Sequence, residues 1–219
     1  MINWIDITHL GSFMVMTAAA AIIVAWLLFN RKWRLMVGWC MLYVGGMTLV
    51  VASKIAFIGW GIGYQPWSFT GFSGHAMRVA AVMPVLFYLV ASSFKLNVQR
   101  VFTLFGWLFA AIIAFSRIVV HAHSVSEAIT GYMVGAVGSA LFIHWLARDK
   151  TASRFNSWIA ASSLLVLLSS PDLPIVPTQS WIIDASLLLS GHDRPYIRET
   201  WRMSGLPRPV TGNWLGEEP

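Results

Sequence analysis

Five apolar runs, each bounded by polar or charged residues, divide the first two thirds of this chain. The first extends from Phe13 to Phe29 (FMVMTAAAAIIVAWLLF) and stops at Asn30-Arg31-Lys32-Trp33-Arg34, a basic and aromatic boundary. It is about as long as a helix needs to be to cross hydrocarbon. No positive charge precedes it and Asp6 stands there instead, so it reads as a retained span and not as a signal peptide. The second run goes from Leu35 to about Ala52 and stops at Ser53-Lys54, after which Gly59, Gly61, Gly63, Pro66 and Gly71 predict a loop. A third begins at Gly74-His75 and continues to Phe94, a fourth covers Val101 to Phe115, and a fifth about Ala128 to Leu146. Beyond Arg154 the pattern weakens. Phe155 to Ser170 is read as a sixth span, and Trp181 to Leu189 is too short to cross and is expected at the interface or packed on the bundle.

Composition agrees with this pattern. Of 219 residues 57% are hydrophobic and only 11% charged, with a mean hydropathy of +0.67; a soluble domain carries roughly a quarter charged residues. The expected architecture is an all-α, polytopic membrane bundle of about six transmembrane helices. It comprises a single domain over residues 1–190 and a polar, Arg-rich tail over 191–219. The lone Cys40 lies inside an apolar run, which excludes a disulfide framework or a thiolate metal site. No compact Asp/Glu cluster suggests a divalent ion, so neither metal nor cofactor is expected. A net charge of +6 would suggest nucleic acid in a soluble protein, but here the bases sort by loop, and no nucleic-acid partner is expected. Arg31, Lys32 and Arg34, then Lys95 and Arg100, then Arg148, Lys150 and Arg154 occupy alternate loops and mark the cytoplasmic side. The N-terminus and the His-bearing loops fall on the other side.

Ionisable residues at membrane depth are costly, and three clusters of them share that outer side. Lys54 leaves the second span and, taken alone, reads as a snorkelling lysine. Phe72-Ser73-Gly74-His75 opens the third span, where free helix N–H groups suit an anion; an ordinary Ser73 N-cap is the plainer reading. The third cluster is Ser116-Arg117-Ile118-Val119-Val120-His121-Ala122-His123-Ser124-Val125-Ser126-Glu127. If helix begins at about His123, Glu127 shares its face and can fix its tautomer, leaving the other ring nitrogen as a nucleophile; a helix-surface pair would have the same spacing. His121 cannot occupy that face and reads as a packing or interfacial histidine. Arg117 is either a membrane-surface anchor or a planar fork for phosphate oxygens.

In order and spacing the three clusters resemble the signature of the type 2 phosphatidic acid phosphatase superfamily: Lys, six residues, Arg-Pro; then Pro-Ser-Gly-His; then Ser-Arg, five residues, His, three residues, Asp. The resemblance covers roughly Lys54 to Gly131. It implies His123 as a nucleophile forming a phosphohistidine, Glu127 in place of the orienting Asp, and His75 as the acid for the leaving group. It implies Lys54, Ser73, Gly74 and Arg117 as phosphate-binding groups. Gly61 and Ile62 stand where Arg-Pro is expected, so one phosphate-binding cation is missing. Arg78, one turn beyond His75, and Arg194, Arg198 or Arg202 in the tail are the candidates to supply it. Phe72 for Pro and Glu127 for Asp are the other departures. The implied activity is metal-independent hydrolysis of a lipid phosphate or diphosphate in the bacterial inner membrane, with the site facing the periplasm or outside. Its partners would be the lipid substrate and membrane lipid. Phosphoryl transfer to a lipid or glycan acceptor and a non-catalytic lipid-binding role are the alternatives.

Overall fold

The computed structural model describes residues 4–148 and 178–199. These residues form helices α1 (Trp4–His9), α2 (Phe13–Phe29), α3 (Trp33–Trp60), α4 (Gly74–Val90), α5 (Leu96–Val119), α6 (Val125–Arg148) and α7 (Thr178–Ser190), with 3-10 turns at Gln65–Trp67 and Ala91–Ser93. Among the described residues the only β-type pairing is an isolated bridge between Tyr64 and Phe69. The chain is therefore an all-α bundle, as expected. Among the described residues four helices are long and apolar enough to cross a membrane: α3, α4 with its extension to Ser93, α5 and α6. At about 1.5 Å per residue, 24 residues give α5 and α6 lengths of about 36 Å, against a hydrocarbon core of about 30 Å. Helix α2, with 17 residues, is shorter. The expected sixth span at 155–170 lies outside the described residues.

Helix α4 is the centre of the bundle. Thirteen of its 17 residues are buried, which is how a helix apolar on every side is accommodated. Helices α5 and α6 flank it and approach closely because glycines face it. A Cβ on Gly131 would stand 2.5 Å from the Ser73 carbonyl oxygen, and one on Gly106 would stand 2.6 Å from Pro84 Cα. Gly131 and Gly135 are four apart on α6 and both meet α4 backbone, the small-residue spacing that lets membrane helices touch. This contact pins the start of α4 to the first turns of α6.

Helix α3 departs from the sequence reading. The break expected after Ser53-Lys54 does not occur, and the helix continues to Trp60, so Lys54 lies within it and not at its exit. Gly59 is a packing glycine, since a Cβ there would meet the Ser186 carbonyl of α7 at 3.2 Å. The terminator is Gly61, left-handed at φ +68, whose N–H donates to Phe57 O at 2.7 Å. Helix α7 packs along the last turns of α3, with Phe57 and Ile58 against Ile182 and Ile183. That placement agrees with a short helix packed on the bundle.

Candidate active site

One end of the bundle encloses a cavity of about 1470 Å³ lined by groups from every long helix. Lys54 comes from α3, Gly74, His75 and Arg78 from α4, Arg117 from α5, His121 and His123 from the α5–α6 turn, and Glu127 from α6. Thr70 and Gly71 enter from the α3–α4 loop and Gln179 from α7. The three sequence clusters are thus brought together.

Glu127 is the anchor, with a side chain only 1% exposed. Its Oε1 accepts from Thr70 N–H at 2.8 Å and from Thr70 Oγ1 at 2.5 Å. Its Oε2 accepts from His123 Nδ1 at 2.9 Å, from Ser124 N–H at 3.2 Å and from Arg198 Nη2 at 2.5 Å. Five donors crowd two oxygens that offer about four lone-pair sites, which holds the carboxyl ionised and has two donors share a lone pair. A carboxylate only accepts, so the His123 proton sits on Nδ1 and Nε2 keeps its lone pair. Helix α6 begins at Val125, not at His123; the imidazole reaches Glu127 from the turn that precedes the helix. His123 has a pKa below the ordinary imidazole value. Burial is the largest cause, the Glu127 bond opposes it, and Lys54 and Arg117 add to the lowering.

His75 faces His123 from α4. Its Nδ1 lies 3.5 Å from Arg78 Nη2, and since a guanidinium only donates, the contact puts the His75 proton on Nε2. Arg78 is buried at 6% exposure beneath the Phe13 ring, whose centroid is 5.4 Å from its Cζ. Among the described residues it has no carboxylate partner. Arg117 Nη1 donates to Thr8 Oγ1 at 3.0 Å, and Ser116 Oγ lies 3.1 Å from the same atom. The Nε atoms of Arg78 and Arg117 are buried without a hydrogen-bond partner among the described residues. Lys54 Nζ donates to Gln179 Oε1 at 3.2 Å.

Not every expected residue reaches the cavity. Ser73 is fully buried; its Oγ accepts from Ala76 N–H at 3.5 Å as the N-cap of α4, and its own N–H donates to Glu127 O at 3.0 Å. That is the plainer, N-cap role for Ser73, which fixes the start of α4 and is not among the residues lining the cavity. Arg194 is exposed and outside the cavity lining, and Arg202 lies outside the described residues. His121 is exposed at φ +57 and lines the rim.

Sequence reasoning missed Thr8, Phe13 and Gln179, and it did not foresee that Thr70 holds Glu127. The α1–α2 segment closes one wall: besides Thr8 and Phe13, a Cβ on Gly11 would lie 3.5 Å from the His75 ring. Gly71, at φ +149, lets the loop cross Lys54, where a Cβ would meet Lys54 Cγ at 3.1 Å.

The family model described as PAP2 superfamily matches residues 57–151, a stretch that holds His75, Arg117, His123 and Glu127 and begins three residues after Lys54. An uncharacterized 22.5 kDa protein in the cps region of Klebsiella pneumoniae is 34% identical over 202 residues, covering 90% of this chain and 96% of that protein. No solved structure matches.

Proposed function

The chain belongs to the PAP2 superfamily, and from that premise we propose that it is a metal-independent, integral-membrane phosphatase of lipid phosphates or diphosphates acting through a phosphohistidine. The observation that carries this reading is the His123–Glu127 pair at 2.9 Å, which leaves Nε2 as a neutral nucleophile in a cavity lined by Lys54, Arg78 and Arg117. In the first half-reaction Nε2 attacks phosphorus and the bond to the leaving oxygen breaks. As the imidazolium, which requires Nδ1 to take up a proton and release the Arg78 contact, His75 protonates that oxygen from Nε2 and is left neutral. Water then attacks the phosphohistidine, gives its proton back to His75, and frees phosphate.

The cations stabilise the negative charge on the transferring group. Buried guanidinium Nε–H groups without partners favour an anionic ligand, because an unpaired buried donor is otherwise a cost. Arg78 is the best replacement for the arginine that Gly61 lacks: it is buried, it lines the cavity, and no carboxylate among the described residues neutralises it. Metal independence follows from the same charges, since a phosphate held by three cations needs no divalent ion to accept a neutral nucleophile.

The same cavity has an apolar side formed by Val50, Val51 and Ile55 of α3 and Trp181, Ile182 and Ala185 of α7. A polar end and an apolar side suit an amphiphile whose head group sits among the cations. Charge asymmetry supports a periplasmic or outer location in a bacterial inner membrane.

Purified protein in detergent, given a panel of lipid phosphates and diphosphates with and without chelator, tests the reading. Phosphate release that survives chelator and is abolished by His123→Ala is expected. Release by His123→Ala at the wild-type rate would overturn the phosphohistidine step.

A further inference from the structure

The described part of the C-terminal tail folds back over the end of α3. A helix leaves its last carbonyls without intrahelical partners, and two of those of α3 are met from the tail. Tyr196 N–H donates to Ile58 O at 2.9 Å, and His192 Nδ1 lies 2.8 Å from Gly59 O, which as a carbonyl makes that nitrogen the donor. Pro195 between them is buried. This strap delivers Arg198, whose Nη2 bonds Glu127 Oε2 at 2.5 Å and Thr70 Oγ1 at 3.2 Å. Its side chain is 19% exposed, so the guanidinium is largely taken from water for this contact.

We propose that Arg198 is a positioning residue: by holding the Glu127 oxygen that also accepts the His123 proton, it sets the orientation and basicity of that imidazole from outside the family's motifs. The proposal rests on the reading of His123 as nucleophile. It separates two roles that the missing arginine leaves open, because Arg198 is spent on a carboxylate whereas Arg78 is not. A glutamate carries one methylene more than the aspartate expected at this place, and a longer arm has more rotamers to restrict. Thr70 fixes one oxygen of that arm and Arg198 the other.

The charge of Arg198 also acts on His123. The imidazole is faced by Glu127 from α6, Lys54 from α3, Arg117 from α5, His75 from α4 and, through Glu127, Arg198 from the tail. Removing one cation from this set leaves Glu127 with more negative charge for the imidazole. His123 then holds its proton to higher pH.

The test follows the His123 ring by NMR in detergent-solubilised protein labelled with 13C-histidine, its signal assigned by its loss in His123→Ala. The titration midpoint is expected to rise in Arg198→Ala and to return toward wild type in Arg198→Lys, which keeps the charge. An unchanged midpoint in a folded Arg198→Ala protein would overturn the proposal. In parallel, phosphate release by Arg198→Ala is expected to lose up to about a hundredfold in kcat, with the acid limb of its pH profile moved upward. A rise in KM with kcat intact would instead make Arg198 a substrate ligand and also overturn it. If the midpoint moves as expected in Arg198→Ala while the wild-type protein releases no phosphate from any substrate, the phosphatase reading is overturned and the positioning of His123 by Arg198 is supported.

Discussion

At the scale of single residues, the proposed phosphohistidine mechanism makes His123 the group that decides the pH dependence. Attack needs the neutral imidazole, and burial with the Lys54 and Arg117 charges pushes its pKa below the ordinary value of about 6.5. As pH falls, activity is therefore retained past the point where a free imidazole would be half protonated, and is lost only as His123 itself takes up a proton. A pH profile of kcat/KM with its acid limb below about 6.5 is expected. Glu127→Gln keeps the arm length, but its amide can turn an N–H toward His123 Nδ1 and favour the wrong tautomer. A loss of about 10⁴-fold in kcat is expected, the scale of the corresponding carboxamide change in a serine protease triad. Arg78→Ala removes a buried cation and is expected to lower kcat about 10²- to 10³-fold, measured on the same substrate panel. The sequence makes the spacing from Arg117 to His123 to Glu127 legible because those residues are close in the chain. Thr70 and Thr8 are not legible that way: each is a lone threonine whose partner is 57 or 109 residues away, and only the packing of four helices makes them neighbours.

At the scale of elements, glycines set how near the helices come. Gly131→Ala would force a methyl into the Ser73 backbone, which cannot yield without moving the start of α4. A stability loss of about 1–3 kcal/mol is expected, with a loss of activity out of proportion to it, because His75 and Glu127 sit on the two elements pushed apart. Gly138→Ala on the same helix meets nothing within 4 Å, and helix propensity alone predicts a gain of about 0.5–1 kcal/mol. Denaturation of the two variants in one detergent, beside their activities, separates a packing glycine from an open one. The same distinction explains the misread end of α3. The glycine run predicts breaks from Gly59 onward, yet Gly59 is helical and packs on α7, while Gly61, two residues later, ends the helix. Sequence alone does not say which glycine faces a neighbour. Apolar length is the more legible signal, and it locates α3, α4, α5 and α6; the differences lie at helix ends, where α3 runs on from Ser53 to Trp60 and α5 takes in Leu96–Arg100 and Ser116–Val119.

At the scale of the whole molecule, the site end and the far end differ in where their bases reside. Lys54, Arg78 and Arg117 line an interior cavity, so they do not act as loop charges that hold a segment on the cytoplasmic side. Arg31, Lys32, Arg34, Lys95 and Arg100 stand at the opposite end, in or beside the short connections that precede α3 and α5, and Arg148 is the last residue of α6. Removing the interior cations from the count strengthens the asymmetry on which the orientation rests. It also places the exposed Tyr64 and Trp67 of the α3–α4 loop at the site end, where aromatic residues suit a membrane–water interface. In a Cys40→Ser background, Gln65→Cys in that loop and Asn97→Cys at the start of α5 report on the two ends, both positions being exposed. In sealed, right-side-out membranes an impermeant maleimide is expected to label position 65 at once and position 97 only after permeabilisation. The reverse pattern would turn the cavity toward the cytoplasm, and its substrate would then have to present its phosphate from the inner leaflet.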